Sequence, residues 1–239
     1  MKKQPKQLTV AKDLFKVPSL DQIDKQYSEV ETGVNKMTLM KQYNIDHKKF
    51  NETIKKTDPG NGGKVLCPWY EGERTPDLPE AVPIYFGFEL GDYTMENLCR
   101  AVLEGHIMNL YEGFLKLPVK PVEIRLTGGI SKSEVWRYTI ANIFNCETVP
   151  VLGEGAALGA ALHAAWTYYK EKTICDIADP FVFIDEKLRI KPDPKIVEVY
   201  NDFKPIYLSV SKRIRGVKSK NPFELFKNYV EKYGNNKSK

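Results

Sequence analysis

Two adjacent glycines, Gly128 and Gly129, end the apolar run in EIRLTGGISKSEVW, residues 123–136, and are followed by Ser131, Lys132 and Ser133. Glycine lets a strand-to-helix turn take positive φ and pack closely. It also bares the main chain, so that a flat or phosphorylated ligand can lie against it at a helix N-terminus. Taken alone, the pair fits either role. Side-chain chemistry offers less. The three histidines stand singly, and Cys67, Cys99, Cys146 and Cys175 are widely spaced without a Cys-x-x-Cys. That argues against a zinc site or a disulfide frame and fits a reduced compartment. The sequence assigns no catalytic residue and no metal ligand.

The elements around the glycines favour the ligand role. VEIRLT reads as a strand, and a helix follows from about Ser133 to Phe144 with Trp136, Ile140, Ile143 and Phe144 on its buried face. ETVPVL is a second strand, with Pro150 marking an edge or strand end. GEGAALGAALHAAWTYYKE is an alanine-rich helix with small residues on one side, a surface suited to close packing. Residues 122–170 thus read strand, helix, strand, helix, with the two strands expected as parallel neighbours. In such units ligands sit beyond the carboxyl ends of the strands, where Gly128 and Gly129 fall.

The rest of the chain reads more plainly. TGVNKMTLMKQYNI and DHKKFNETIKKT are expected as short helices, DPGNGG as a loop, and IYFGFEL as a short strand. Thr94 looks like an N-cap, with Met95, Leu98, Val102, Ile107, Leu110 and Phe114 on one face of a helix to about Leu117. PFVFID is expected as a strand, and Pro205 should bend or start a helix in the aromatic-rich segment before Ile214.

A chain of 239 residues can bury one large core or two small ones, and its 42% hydrophobic and 28% charged residues are ordinary for a globular protein. No apolar run is long enough for a membrane span. The N-terminus is basic but lacks an apolar leader core, which with the cysteines predicts a cytoplasmic protein. The net charge of +5 is uneven: from Lys212 onward nine basic residues face two acidic ones, and the remainder is close to neutral. A near-neutral body does not suit nucleic acid, and the basic end reads as a solvated helical face.

Four stretches, LCPWYEGERTP, NLCRAVLEG, IRLTGGISKSEVWR and EGAALGAALHAAW, occur in the order and spacing of the C-terminal half of the FGGY carbohydrate kinases. The resemblance is strongest to the xylulokinase type and runs from about Gly33 to Ile214. It implies an α/β fold, an incomplete RNase H-like lobe of the actin and hexokinase kind. It divides the chain into an arm (1–32), the kinase C-terminal domain on the nucleotide side (33–211) and a basic tail (212–239).

By this resemblance Gly128, Gly129, Ile130 and Ser133 would meet the adenosine of ATP or ADP, with Ile130 standing where many members have a third glycine. Ser133 would lie near the adenine edge, or simply cap the helix. Glu154, Gly155, Ala157 and Gly159 resemble the helix at the interdomain hinge. The loop of Gly72, Glu73 and Arg74 would face the cleft, Arg74 serving in a structural salt bridge. The full reaction implied is ATP-dependent phosphorylation of D-xylulose with Mg²⁺, the pentulose held through the other lobe.

The family's Asp-Gly-Thr phosphate turn, second Gly-Thr turn and general-base aspartate have no counterpart before Gly33; Asp21 and Asp24 read as solvated charges. The expectation is therefore a split-gene product or fragment, inactive alone, which associates with a protein partner or with itself. The rival expectation is a degenerate kinase domain kept as a scaffolding subunit. Neither nucleic acid nor membrane is expected as a partner.

Overall fold

The computed structural model describes residues 45–153 and 155–234. The expected arm, and the first expected helix except for Ile45, lie outside these residues. Helix α1 (His47–Lys55) starts where the Asp46 side chain accepts the Lys49 N–H at 2.7 Å. Strands β1 (Val65–Cys67) and β2 (Ile84–Phe86) pair antiparallel, Leu66 opposite Tyr85. Helix α2 (Met95–Phe114) follows, and Thr94 caps it as expected, accepting the Asn97 N–H.

Helix α2 is the spine of the core. Leu98, Val102, Leu103, Ile107 and Met108 are buried along it. At Gly105 the helix lies so close to β1 that a β-carbon would sit 2.4 Å from the Leu66 carbonyl oxygen. The sequence period fails at Leu110, which is 59% exposed. The helix also stops at Phe114 rather than Leu117: beyond it the Lys116 and Leu117 N–H groups bond only three residues back, to the Gly113 and Phe114 carbonyls, so the chain tightens into turns.

Strand β3 (Glu123–Leu126), helix α3 (Glu134–Phe144) and strand β4 (Glu147–Pro150) form the expected unit. β3 and β4 are parallel, with Glu123 opposite Glu147 and Leu126 opposite Pro150. Trp136, Ile140 and Ile143 are buried and Phe144 is half-buried. Arg189 staples the pair, donating to Glu123 at 2.6 Å and to Glu147 at 3.2 Å. Its bonds, together with those from Arg125, hold the Glu123 carboxyl below the usual range, the Arg125 bond contributing most.

Helix α4 (Gly155–Tyr168) and the short α5 (Ile174–Ala178) come next. PFVFID is not a strand. It touches β4 at one bridge, Val151 to Ile184, and Ile190 makes another to Thr148. Between them a 3-10 turn, Glu186–Leu188, lifts the chain away and is clamped by Arg189 on Glu186.

Helix α6 runs unbroken from Pro194 to Ile214, so Pro205 does not start it. A helix-interior proline costs about 3 kcal/mol. Burying Phe203, Ile206 and Tyr207, each at most 1% exposed, returns roughly 1.5–3 kcal/mol apiece, so packing wins. Helix α7 (Pro222–Tyr233) lies within the basic end, yet it packs on the core: Tyr229 is buried, and Phe226 seats against Gly63 and Gly87. Among the described residues no helix is long and apolar enough to cross a membrane.

Candidate functional site

The β3 chain leaves Leu126 into Gly128, whose φ of 72° and ψ of −155° only glycine adopts without strain. Gly129–Lys132 then make a 3-10 turn leading into α3. The Ser131 hydroxyl donates to the Gly128 carbonyl at 2.7 Å, and the Arg137 Nη1 donates to the Ser131 carbonyl at 2.6 Å. These bonds pin the turn from its inner side. Its outer side is clear: a β-carbon on Gly128 or Gly129 would meet nothing within 4 Å.

Ser133 takes the N-cap position of α3 but makes no side-chain cap bond. Its hydroxyl donates instead to Asn51 Oδ1 at 3.0 Å, tying the turn to α1. Beside it Glu134 pairs with Lys55, whose hydrogen bond holds the Glu134 carboxyl below its ordinary range. Ile130, in the place of a third glycine, packs its side chain on the core. It therefore leaves the outer face of the turn open.

A second glycine was not assigned from the sequence. Gly153 follows β4 as Gly128 follows β3, with φ of 88° and open space before it. The two strand ends are joined by the Val151 N–H donating to the Leu126 carbonyl at 2.8 Å. The signal was present in VLGEG, a glycine three residues beyond the end of a strand parallel to the first. Thr127, which belongs with Leu126, Gly128 and Gly129 to the stretch that resembles the adenosine motif, is exposed and lies against Gly155 at the start of α4.

The residues of the hinge pattern are thus not equivalent. Gly155 touches the β3 end, Ala157 and Gly159 are exposed, and a β-carbon on Gly159 would meet nothing within 4 Å. Glu154 lies outside the described residues.

The Gly72–Arg74 loop is a separate structure. Glu73 and Leu78 exchange backbone hydrogen bonds, and a β-carbon on Gly72 would lie 2.3 Å from the Pro79 carbonyl. The Arg74 salt bridge is not made among the described residues; Arg74 is exposed and only its N–H bonds, to Glu73. Glu73 is the anchor, accepting from Asn109 on α2 at 2.6 Å. Asn109 in turn accepts from the Trp69 indole at 3.1 Å and the Tyr207 hydroxyl at 3.4 Å. No hydrogen bond or ion pair among the described residues joins this loop to the Gly128–Ser133 turn.

Two glycine turns at adjacent parallel strand ends, floored by backbone and open outward, suit a ligand with a flat face. No group of three or more His, Cys, Asp or Glu among the described residues is placed to hold a metal ion.

The fold and this arrangement define an α/β domain with outward-open glycine turns at the ends of two parallel strands. The FGGY family of carbohydrate kinases, C-terminal domain, matches residues 22–168, and the chain belongs to that family. It is 34% identical over 182 residues to the xylulose kinase of Haemophilus influenzae, spanning 74% of this chain and 36% of the relative. It is 31% identical over 196 residues to the gluconokinase of Bacillus licheniformis, spanning 78% of this chain and 36% of that protein. In three dimensions it is similar to the ligand-bound xylulose kinase of Lactobacillus acidophilus, with a TM-score of 0.63 at 26% identity, covering 72% of this chain and 36% of the other. The chain spans a little over a third of the length of these relatives.

Proposed function

We infer that this chain is the nucleotide-receiving part of a sugar kinase. The outward-open glycine platform at Gly128, Gly129 and Gly153 carries the reading. Its backbone would take the flat face of adenosine, with Gly129 the position closest to the base or ribose. Thr127 against Gly155 would couple the platform to helix α4.

The sugar assigned is D-xylulose, on the strength of the identity to xylulose kinase; gluconate is the competing substrate, since a gluconokinase is nearly as similar. Phosphoryl transfer needs positioning and charge stabilisation of the γ-phosphate. On this reading the chain gives the nucleoside platform, and turnover would draw on the part of a relative that this chain does not span, in the same polypeptide or a second one.

Helix α4 supports that requirement. Only Leu162 is buried along it, and Trp166, Ile174, Phe181 and Phe183 nearby are at least 40% exposed. An apolar face of this kind gains about 25 cal/mol per Å² when covered. β3 likewise has one edge unpaired among the described residues, a template for another strand.

The test is calorimetric titration of the 239-residue chain and its Gly129→Val variant with ADP. Weak binding by the parent and none by the variant is expected. Equal binding by both removes the platform as the site. No binding by either favours the scaffolding role.

A further inference from the structure

We propose that Arg137 is a positioning residue, holding the Gly128–Ser133 turn from beneath in the open form that receives the nucleoside. The proposal rests on the nucleotide reading of that turn.

Arg137 is 5% exposed on the inner face of α3. Among the described residues no carboxylate forms an ion pair with it, Glu134 feeling its charge only at longer range, and its Nε has no hydrogen-bond partner. A buried cation is costly unless it is paired, and an apolar side chain of similar volume fills a core at less cost. The charge is instead directed at one carbonyl, that of Ser131, through the 2.6 Å bond from Nη1. A charge-assisted bond of this kind is stronger than a neutral one.

Ser131 passes the constraint onward. Its hydroxyl and its N–H both bond the Gly128 carbonyl, at 2.7 and 3.2 Å. The guanidinium is thereby one residue removed from the glycine with φ of 72° and ψ of −155°. From the other side, the Thr148 hydroxyl on β4 donates to the Arg137 carbonyl at 3.2 Å. The helix carrying Arg137 is thus fixed to the strand beside the turn, and the turn is fixed to Arg137. A β-carbon on Gly128 or Gly129 would meet nothing within 4 Å, so the outer face of the turn stays open.

The experiment uses the whole chain, with amide hydrogen exchange followed by NMR and an ADP titration in parallel. Arg137→Met is expected to speed exchange of the Ser131 and Ser133 amides at least tenfold while Ile140 and Val149 stay protected. It should also weaken ADP binding at least tenfold. Arg137→Lys, which keeps one charged donor, should recover part of both effects. Ser131→Ala is a smaller change that removes only the hydroxyl link, and it decides the matter if Arg137→Met does not fold; accelerated turn exchange is again expected. Unchanged exchange and unchanged ADP affinity in the folded variant overturn the proposal. If the parent itself does not bind ADP, the nucleotide reading fails, and the exchange rates still judge Arg137: faster exchange confined to the turn upholds its hold on the turn, and unchanged exchange overturns it.

Discussion

Gly155 and Thr127 are in contact so close that a β-carbon on the glycine would lie 2.3 Å from the threonine Oγ1 and 2.8 Å from its Cβ. A change of rotamer moves the hydroxyl but not Cβ, so the backbone must give. Gly155→Ala is therefore expected to destabilise by about 1–3 kcal/mol. Thr127→Gly should suppress most of that cost in the double variant. A double-mutant cycle by urea unfolding measures the coupling; additive effects would show that the two residues do not bear on each other.

The paired glycines should respond in opposite ways. Gly128→Ala forces a β-carbon into a conformation that costs roughly 1–3 kcal/mol, and the melting temperature should fall by several degrees. Gly129→Val points into open space, so its melting temperature should stay near the parent's while ADP binding is lost. Thermal melts of the two variants side by side distinguish these outcomes.

Asn109 gathers three partners, and its removal strands all of them. Asn109→Ala leaves the Trp69 indole, the Tyr207 hydroxyl and the Glu73 carboxylate short of a bond, a loss on the order of 2–4 kcal/mol. Asn109→Asp keeps the acceptor for Trp69 and Tyr207 but sets a carboxylate against Glu73. Its deficit should therefore shrink in acid, where one of the two carboxyls is protonated. Denaturant midpoints at pH 4.5 and pH 7.5 check this.

Glu104 predicts a pH dependence. It is 1% exposed, its Oε1 accepts from the Gly60 N–H and the Tyr200 hydroxyl at 2.8 Å each, and its Oε2 has no partner. Burial pushes its carboxyl up from 4.5 to about 7, against the pull of Arg100 and the two hydrogen bonds. Between those values the folded chain binds more protons than the unfolded one, so stability falls as pH rises. The contribution is full below the unfolded pKa and gone above about 7, a change on the order of 3 kcal/mol. Glu104→Gln keeps the acceptor and removes the charge. Arg100 retains its bonds to Ile54 and Thr57. The variant should lose this slope and exceed the parent in stability at pH 8. An unchanged pH profile would show that Glu104 does not titrate there.

What the sequence could reveal depended on how local the physics is. The Thr94 cap, the β3 and β4 pairing and the glycine turn each rest on neighbouring residues or a short crossover, and they read directly. Leu110 failed because a period marks a face without saying how far the core extends along it. PFVFID failed because it meets the chain beyond β4 at a single bridge, Val151 to Ile184, before a 3-10 turn carries it away. The Glu73, Asn109, Trp69 and Tyr207 cluster was illegible, since it joins residues far apart in the chain through a side chain that reads as ordinary helix surface. Arg137 was hidden for the opposite reason: one basic residue on an amphipathic helix looks solvated until burial is known.

The unequal burial of the tryptophans turns α4 into an optical reporter. Trp69 and Trp136 are at most 6% exposed, while Trp166 on α4 is 40% exposed and beside His163. Red-edge emission and iodide quenching of the folded chain should therefore come from Trp166. A polypeptide settling over α4 would shift that emission to the blue and shield it from iodide, whereas ADP at the glycine turn alone would leave both unchanged. The two events proposed for this domain, arrival of more chain and arrival of nucleotide, would then be separable in one cuvette without a label.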